Sequence, residues 1–253
     1  MKKFHFKVQG DEAGTSLLQF LKEKSGFSGK EVKRSIDAKS CFVNGLVERF
    51  STYRLQKGDV VLFNKEEKPE QLISLYQDDF MTACYKPPFF VVSNKKFFLH
   101  RLDKETSGVL LNSKEEAFSD LFRNREIQKT YYAICEGSPK LNSGVITKPI
   151  EKHGEKKSAE TEWKCIARKN GLCLIKCFPK TGRTHQIRIH LASIGLPILG
   201  DHVYGKRDRS DAKRIFLHAY RVEFIHPMTS KDVKITASVP KDFLEIFNAH
   251  LYT

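Results

Sequence analysis

Trp163-Lys164-Cys165-Ile166-Ala167 and Leu172-Cys173-Leu174-Ile175-Lys176-Cys177-Phe178 are two apolar-rich runs separated by a short polar stretch containing Lys169-Asn170-Gly171. Runs of this length around an Asn-Gly step predict two strands joined by a hairpin turn. Further strands are predicted at Met81–Tyr85, Val109–Leu111, Lys129–Cys135, Phe216–Ile225 and Val233–Val239. Helices are predicted at Lys114–Ile127, at Thr184–Ile194 with Gly195 as stop, and at Asp242–Leu251. Strands that pair through turns, with few helices between them, predict an α+β fold on a mixed, largely antiparallel sheet, not a doubly wound parallel one.

Towards the N-terminus the pattern changes. Leu17, Leu18, Phe20 and Leu21 recur at helical spacing within Thr15–Lys24, and Gly26 ends that run. Ser28-Gly29-Lys30-Glu31 has the Ser-x-x-Glu form of a capping box, so a second helix opens there. It carries Val32 and Ile36 on one face, with Lys30, Lys33 and Arg34 around it. Cys41–Val47 holds Asn44-Gly45 between apolar flanks, a hairpin signal, and Val60–Phe63 reads as a final strand. The polar, proline-bearing run at 65–71 separates this unit, residues 1–64, from a larger one, residues 72–253.

The chain has 253 residues, enough for a core without disulfide staples. Its 44 Lys plus Arg against 30 Asp plus Glu give a net charge of +14, an excess that suits a polyanionic partner. No amphipathic helix with a bulky apolar face and no membrane-length apolar run stands out, so nucleic acid is favoured over a membrane. Met1–Lys7 is not followed by an apolar stretch, and a cytoplasmic location is expected. None of the six cysteines forms a Cys-x-x-Cys pair; buried thiols are expected, with Cys173 and Cys177 on one strand face. Dinucleotide, P-loop and zinc-hydrolase motifs are absent, and no cofactor or metal is expected.

Two stretches carry chemistry. In His100-Arg101-Leu102-Asp103-Lys104-Glu105-Thr106-Ser107-Gly108 an Asp sits on a polar loop beside basic residues, just ahead of an apolar strand. Basic neighbours favour a carboxylate fit to act as nucleophile or base. In Thr181-Gly182-Arg183-Thr184-His185-Gln186-Ile187-Arg188-Ile189-His190 a turn opens a helix. Arg183, His185 and Arg188 there are placed to meet phosphates or a carboxylate. Thr184 and Arg188, four apart, are expected on one helix face, whereas His185 and His190 are five apart and do not form a helical metal pair.

Together these stretches resemble the RluA family of pseudouridine synthases. His-Arg-Leu-Asp-x-x-Thr-Ser-Gly stands at His100–Gly108 and Lys-x-Tyr at Lys129–Tyr131. Thr-Gly-Arg-Thr-His-Gln-Ile-Arg-x-His followed by Gly-x-Pro-Ile-x-Gly-Asp-x-x-Tyr-Gly spans Thr181–His190 and Gly195–Gly205. Residues 1–64 resemble an S4-type RNA-binding domain. One departure from the family pattern is Lys86-Pro87-Pro88-Phe89, where Lys-Pro-x-Gly is usual; only ten residues, Phe90–Leu99, then precede His100.

The resemblance implies an isomerase that converts uridines of structured RNA to pseudouridine, with large-subunit ribosomal RNA as the expected substrate. Transfer RNA, or a non-catalytic role in ribosome assembly, are the alternatives. It implies that Asp103 carries the reaction, by attack at C1′, addition at C6 or removal of the C2′ proton. It implies that Arg188 pairs with Asp103, that Tyr131 stacks on the target base and that Arg101 fills the space the flipped base leaves. Arg183, His185, Lys30, Lys33 and Arg34 are the other expected RNA contacts, and a monomer is expected.

Overall fold

A computed structural model describes residues 2–65, 72–92, 98–152, 154–205, 212 and 214–247. The chain divides into two compact units, Met1–Pro69 and Glu70–Thr253. Among the described residues no helix is long and apolar enough to cross a membrane.

In the first unit β1 (Lys2–Lys7), α1 (Leu17–Ser25), α2 (Gly29–Asp37), β2 (Cys41–Val43), β3 (Leu46–Val47) and β4 (Val60–Lys65) follow one another. The strands form one sheet in the order β1-β4-β2-β3. Leu17, Phe20, Leu21, Val32 and Ile36 from the helices pack on Cys41, Val43, Val61 and Phe63 from the strands. Ser16 caps α1 and Gly26 ends it, so the helix starts at Leu17, the first residue of its apolar pattern and two residues after the expected Thr15. The Ser28–Glu31 capping box forms in both directions. Lys65, expected in the connector, is the last residue of β4, where it pairs with Lys2 and its Nζ meets Glu31 at 3.2 Å; the rest of that connector, 66–71, lies outside the described residues.

The second unit is built on a nine-stranded sheet. Its chain order is β5 (Ile73–Gln77), β6 (Met81–Lys86), β7 (Ser107–Ser113), α3 (Glu116–Arg123), β8 (Gln128–Glu136), β9 (Ser143–Ile146), β10 (Ile150–Lys152) and β11 (Glu155–Lys157). Then come β12 (Thr161–Lys169), β13 (Leu172–Pro179), α4 (Gln186–Ser193), β14 (Leu217–Ile225), β15 (Asp232–Thr236) and α5 (Lys241–Phe247). The sheet order is β5-β6-β7-β14-β8-β13-β12-β9, with β15 on β14, while β10 and β11 pair apart. Among these pairings β7–β14 is parallel and the others antiparallel, the mixed α+β sheet that the sequence predicts. The β12–β13 hairpin turns at Asn170 and Gly171, with φ of 51° and 74°, the left-handed pair that an Asn-Gly step supplies.

Several element ends differ from the sequence pattern, each for a local reason. The strand expected to run to Val239 stops at Thr236, because beyond Arg221 that side of β14 is taken by β7, through His218↔Ser107 and Ala219↔Gly108. The close approach of β7 explains Gly108: its φ is 121°, and a Cβ there would collide with the Ala219 carbonyl. The helix expected at Lys114–Ile127 covers only Glu116–Arg123; Arg125 adopts φ 63° and turns Ile127 into the core. The last helix ends at Phe247, and its expected remainder lies outside the described residues. Strands β1, β5, β9, β10 and β11 are not among the predicted elements; β1 alternates at Phe4 and Phe6, with Val8 just beyond its end, whereas β10 and β11 hold one apolar residue between them. Cys41, Cys135, Cys165, Cys173 and Cys177 are buried free thiols, and Cys84 is half-buried.

Candidate active site

Asp103 sits on the loop that joins β6 to β7. Lys86, the last residue of β6, is fully buried beneath that loop. Its Nζ donates to the carbonyls of Pro87, Phe90 and Lys104, each at 3.0 Å, using all three N–H bonds of an ammonium. Burial draws the Lys86 pKa down to about 7, opposed by the charge of Asp103 and assisted by that of Arg214. Phe89, which stands where the family pattern has glycine, has φ 64° and donates its N–H to Lys104 O at 2.8 Å. The left-handed bend that a glycine makes freely is made here by an aromatic residue. His100 Nε2 accepts the Leu111 N–H at 3.1 Å, so its proton lies on Nδ1. Burial, with the charge of Lys129 second, lowers the His100 pKa to about 4. His100 is therefore a neutral strut that fixes the loop to β7.

Arg188 reaches the loop from α4. Its Nη1 donates to Asp103 Oδ2 at 3.1 Å. Its Nε and Nη2 donate to the two carboxylate oxygens of Asp201, at 2.6 and 3.0 Å. Asp201 is fully buried and also accepts the N–H groups of Val203 and Tyr204. Burial opposes the charge on Arg188, but the bonds to Asp201 and the charges of both carboxylates outweigh it and raise its pKa. Burial likewise opposes the Asp201 carboxylate, and its bonds to Arg188 and to the two backbone donors overcome this and lower its pKa. The Tyr204 ring lies 5.1 Å from the Arg188 guanidinium, and its hydroxyl meets His185 Nδ1 at 3.1 Å. His185 Nε2 stands 3.7 Å from Asp103 Oδ1.

The start of α4 differs from the sequence expectation. The helix begins at Gln186; His185 has φ 55° and Thr184 lies in the preceding turn, so Thr184 and Arg188 do not share a helix face. The Gln186 side chain causes this. Its oxygen accepts the Thr181 hydroxyl at 2.6 Å and the Arg183 N–H at 3.0 Å, tying 181–186 into a loop. Its amide donates to Glu160 O and Thr161 Oγ1. Thr161 Oγ1 in turn meets His190 Nδ1 at 2.9 Å, and His190 Nε2 meets Lys148 O at 2.9 Å. This buried network spends Gln186 and His190 on anchoring α4 to β12, which leaves Arg188 free to project at Asp103.

Asp103, Tyr131, Arg188, Arg101, Arg183 and His185 all line one cleft of about 700 Å³. Tyr131 enters it from β8, and burial, then the charge of Asp103, raises the phenol pKa, so the hydroxyl stays protonated. Arg101 is exposed at the cleft, and Arg183 Nε is tethered to Ser158 O at 3.2 Å. Lys30, Lys33 and Arg34 are on α2 of the first unit, outside this cleft, with Lys30 and Lys33 exposed and Lys33 3.8 Å from Asp37.

A model of the RNA pseudouridylate synthase family matches residues 59–193, just over half of the chain. The chain belongs to this family. It is 33% identical over 248 residues to an uncharacterized RNA pseudouridine synthase of Helicobacter pylori strain J99, covering 89% of this chain and 97% of that protein. It is 32% identical over 293 residues to ribosomal large subunit pseudouridine synthase C of Haemophilus ducreyi, covering 92% of this chain and 91% of the relative. The solved structure of human RNA pseudouridylate synthase domain containing 4 shares the fold, with a TM-score of 0.59, 23% identity, and coverage of 68% of this chain and 90% of that one. The protein is thus a pseudouridine synthase that acts on RNA.

Two groups of this synthase escape a reading by residue type. Asp201 lies in the quoted Gly195–Gly205 motif, but nothing in its spacing from Arg188 reveals a two-point ion pair. Lys86 reads as an ordinary basic residue at a strand end, and only the fold buries it under the Asp103 loop.

Proposed function

We propose that this synthase converts uridine to pseudouridine in large-subunit ribosomal RNA, with Asp103 as its catalytic carboxylate. The observation that carries the reading is Asp103 facing Arg188 at 3.1 Å within a cleft that also holds Tyr131. Several relatives, that of Haemophilus ducreyi among them, are named for the large ribosomal subunit, which supports the choice of substrate. The reaction breaks N1–C1′, turns the uracil and forms C5–C1′; N1 gains a proton and C5 loses one, so no group leaves the RNA. Attack on C1′, addition at C6 and removal of the C2′ proton each suit a carboxylate that Arg188 holds in one orientation. Tyr131 supplies a flat apolar face on which detached uracil turns without leaving the cleft. Arg101, exposed at the cleft, fills the gap left in the RNA stack, because a guanidinium stacks as a base does. Arg183 and His185 contact the strand around the target nucleotide.

Replacing Tyr131 separates stacking from hydroxyl chemistry. Tyr131→Phe is expected to keep at least about a third of kcat, and Tyr131→Leu to lose about 5- to 150-fold, the span of a base–aromatic stack. Single-turnover rates check this, and equal losses in both variants would contradict it.

The first unit acts in this reading as an S4-type RNA-binding domain that presents Lys30, Lys33 and Arg34. Residues 1–64 hold 12 Lys plus Arg against 7 Asp plus Glu. Their deletion is expected to leave a folded second unit that still isomerises uridine at high RNA concentration, since that unit has its own core. With two to four phosphate contacts removed, the slope of log K against log salt should fall by roughly 1.5 to 3.5. An unchanged slope and affinity would remove the first unit from RNA binding. Incubating the pure full-length protein with large-subunit ribosomal RNA and counting pseudouridine tests the whole reading.

A further inference from the structure

Lys129 is two residues before Tyr131 on β8, so both side chains leave the same face of the strand and enter the cleft. Its Nζ has one hydrogen-bond acceptor among the described residues, the Thr181 carbonyl, at 3.5 Å, the outer limit for such a bond. No carboxylate among the described residues pairs with it. The contrast within this unit is sharp: Arg188 has Asp201 and Asp103, and Arg214 has Asp242.

The surroundings of Lys129 add positive charge. Burial, then the charge of Arg125, pulls its pKa down to about 8. Arg125 is exposed at the bend between α3 and β8, and His100 feels the Lys129 charge from the catalytic loop. On the opposite wall stands Gly182; a Cβ built there would have Lys129 Nζ as its nearest neighbour, at 4.0 Å. Bare backbone thus leaves the space in front of the ammonium open. A largely desolvated ammonium with a weak acceptor and a second cation beside it is unfavourable in the empty cleft. A bound anion offsets the burial with its opposite charge, supplies acceptor oxygens and relieves the repulsion between Lys129 and Arg125.

We propose that Lys129, seconded by Arg125, forms a phosphate-binding subsite that grips the RNA backbone beside the nucleotide whose base lies on Tyr131. This rests on the reading above that the cleft takes a uridine. A phosphate held on the strand that also carries Tyr131 fixes the sugar while the base turns, because the ribose lies between the two grips. It thereby sets the position of C1′ relative to Asp103.

The test follows the Lys129 Cε resonance by NMR in the uniformly labelled full-length protein, identified by its loss in Lys129→Arg. It is titrated with pH alone, then with uridine, uridine 3′-monophosphate, uridine 5′-monophosphate or inorganic phosphate. The expected result is a midpoint near 8 that uridine leaves in place and at least one uridine monophosphate raises by about one unit or more. Lys129→Met should weaken binding of that nucleotide about tenfold or more, and Lys129→Arg should restore it to within about threefold. A midpoint that neither nucleotide moves, that uridine moves equally, or that only inorganic phosphate moves would overturn the proposal, as would full nucleotide affinity in Lys129→Met. None of these readouts requires turnover. The same titration in Asp103→Asn therefore separates this proposal from the catalytic one: a shift in an inactive protein supports the subsite alone, and no shift in a protein that makes pseudouridine overturns the subsite alone.

Discussion

Asp103→Asn is expected to abolish pseudouridine formation, a loss of at least about 10⁴-fold, while RNA affinity stays within about threefold. The amide matches the carboxylate in shape, and its oxygen still accepts the Arg188 Nη1 bond made at 3.1 Å. Arg188 itself keeps its two bonds to Asp201, so the side chain that orients residue 103 does not move. What disappears is the lone-pair basicity and nucleophilicity that all three chemical routes require. Affinity is spread over many phosphate contacts and loses one partly exposed group that is not itself a cation. Pseudouridine content after prolonged single-turnover incubation, beside filter binding at fixed salt, measures both halves. Product from the Asn variant would remove Asp103 from the chemistry, and a collapse of binding would make it a folding or docking residue.

The second large effect lies one bond further out. Asp201→Asn is expected to lower kcat by about 10²- to 10³-fold with KM within about threefold, because Arg188 then loses the charge that fixes its guanidinium plane. Removal of one partner from a buried ion pair also costs about 3 to 5 kcal/mol of stability. Asp201 is fully enclosed, so solvent does not compensate. The pH dependence of stability carries the same signature. The Asp201 pKa is lower in the folded protein than in the unfolded chain, so its contribution is complete above the ordinary carboxylate value of about 4. It is lost as pH falls through the lower folded value. The Asn variant should therefore begin less stable at neutral pH and lose less than the parent on acidification below about pH 4. Denaturant melts at neutral and acidic pH, with single-turnover rates, check both claims. Parallel acid limbs in the two proteins would show that Asp201 does not act through its charge, and unchanged kcat in a folded variant would show that Arg188 needs no second carboxylate.

Much of this architecture is written in local chemistry. Asn170-Gly171 turns the β12–β13 hairpin, Asn44-Gly45 adopts the same left-handed pair between β2 and β3, and Ser28 with Glu31 opens α2. Each of these signals depends on residues within four positions of one another, so the sequence carries it whole. The misread ends depend on neighbours distant in the chain. Val233–Val239 looks uniformly strand-like, yet β7 occupies the edge that its last residues would need. Thr184 and His185 look helical, yet Gln186 spends its amide on Thr161, Thr181, Arg183 and the Glu160 carbonyl and delays the helix. The site divides in the same way. Asp103, Tyr131 and Arg188 are expected at the site because the family resemblance attaches a role to each, whereas it attaches none to Lys86 or Asp201 although both stand in quoted motifs. The duties of Lys86 and Asp201 come from what the fold packs over them, and residue type alone does not announce a buried ammonium or a two-point ion pair.

Isomerisation of uridine within RNA by this cleft, through the Asp103 carboxylate, has a direct readout. Joining C1′ to C5 expels the C5 hydrogen, so RNA transcribed with 5-tritiated uridine reports each turnover as tritium released to water. The decisive measurement is tritium release from a large-subunit ribosomal RNA transcript by the purified full-length protein, set against the pseudouridine counted in the recovered strand. One tritium released per pseudouridine formed is expected, and neither with Asp103→Asn. Release without pseudouridine, pseudouridine from the Asn variant, or no release from folded wild-type protein that binds the transcript would contradict it.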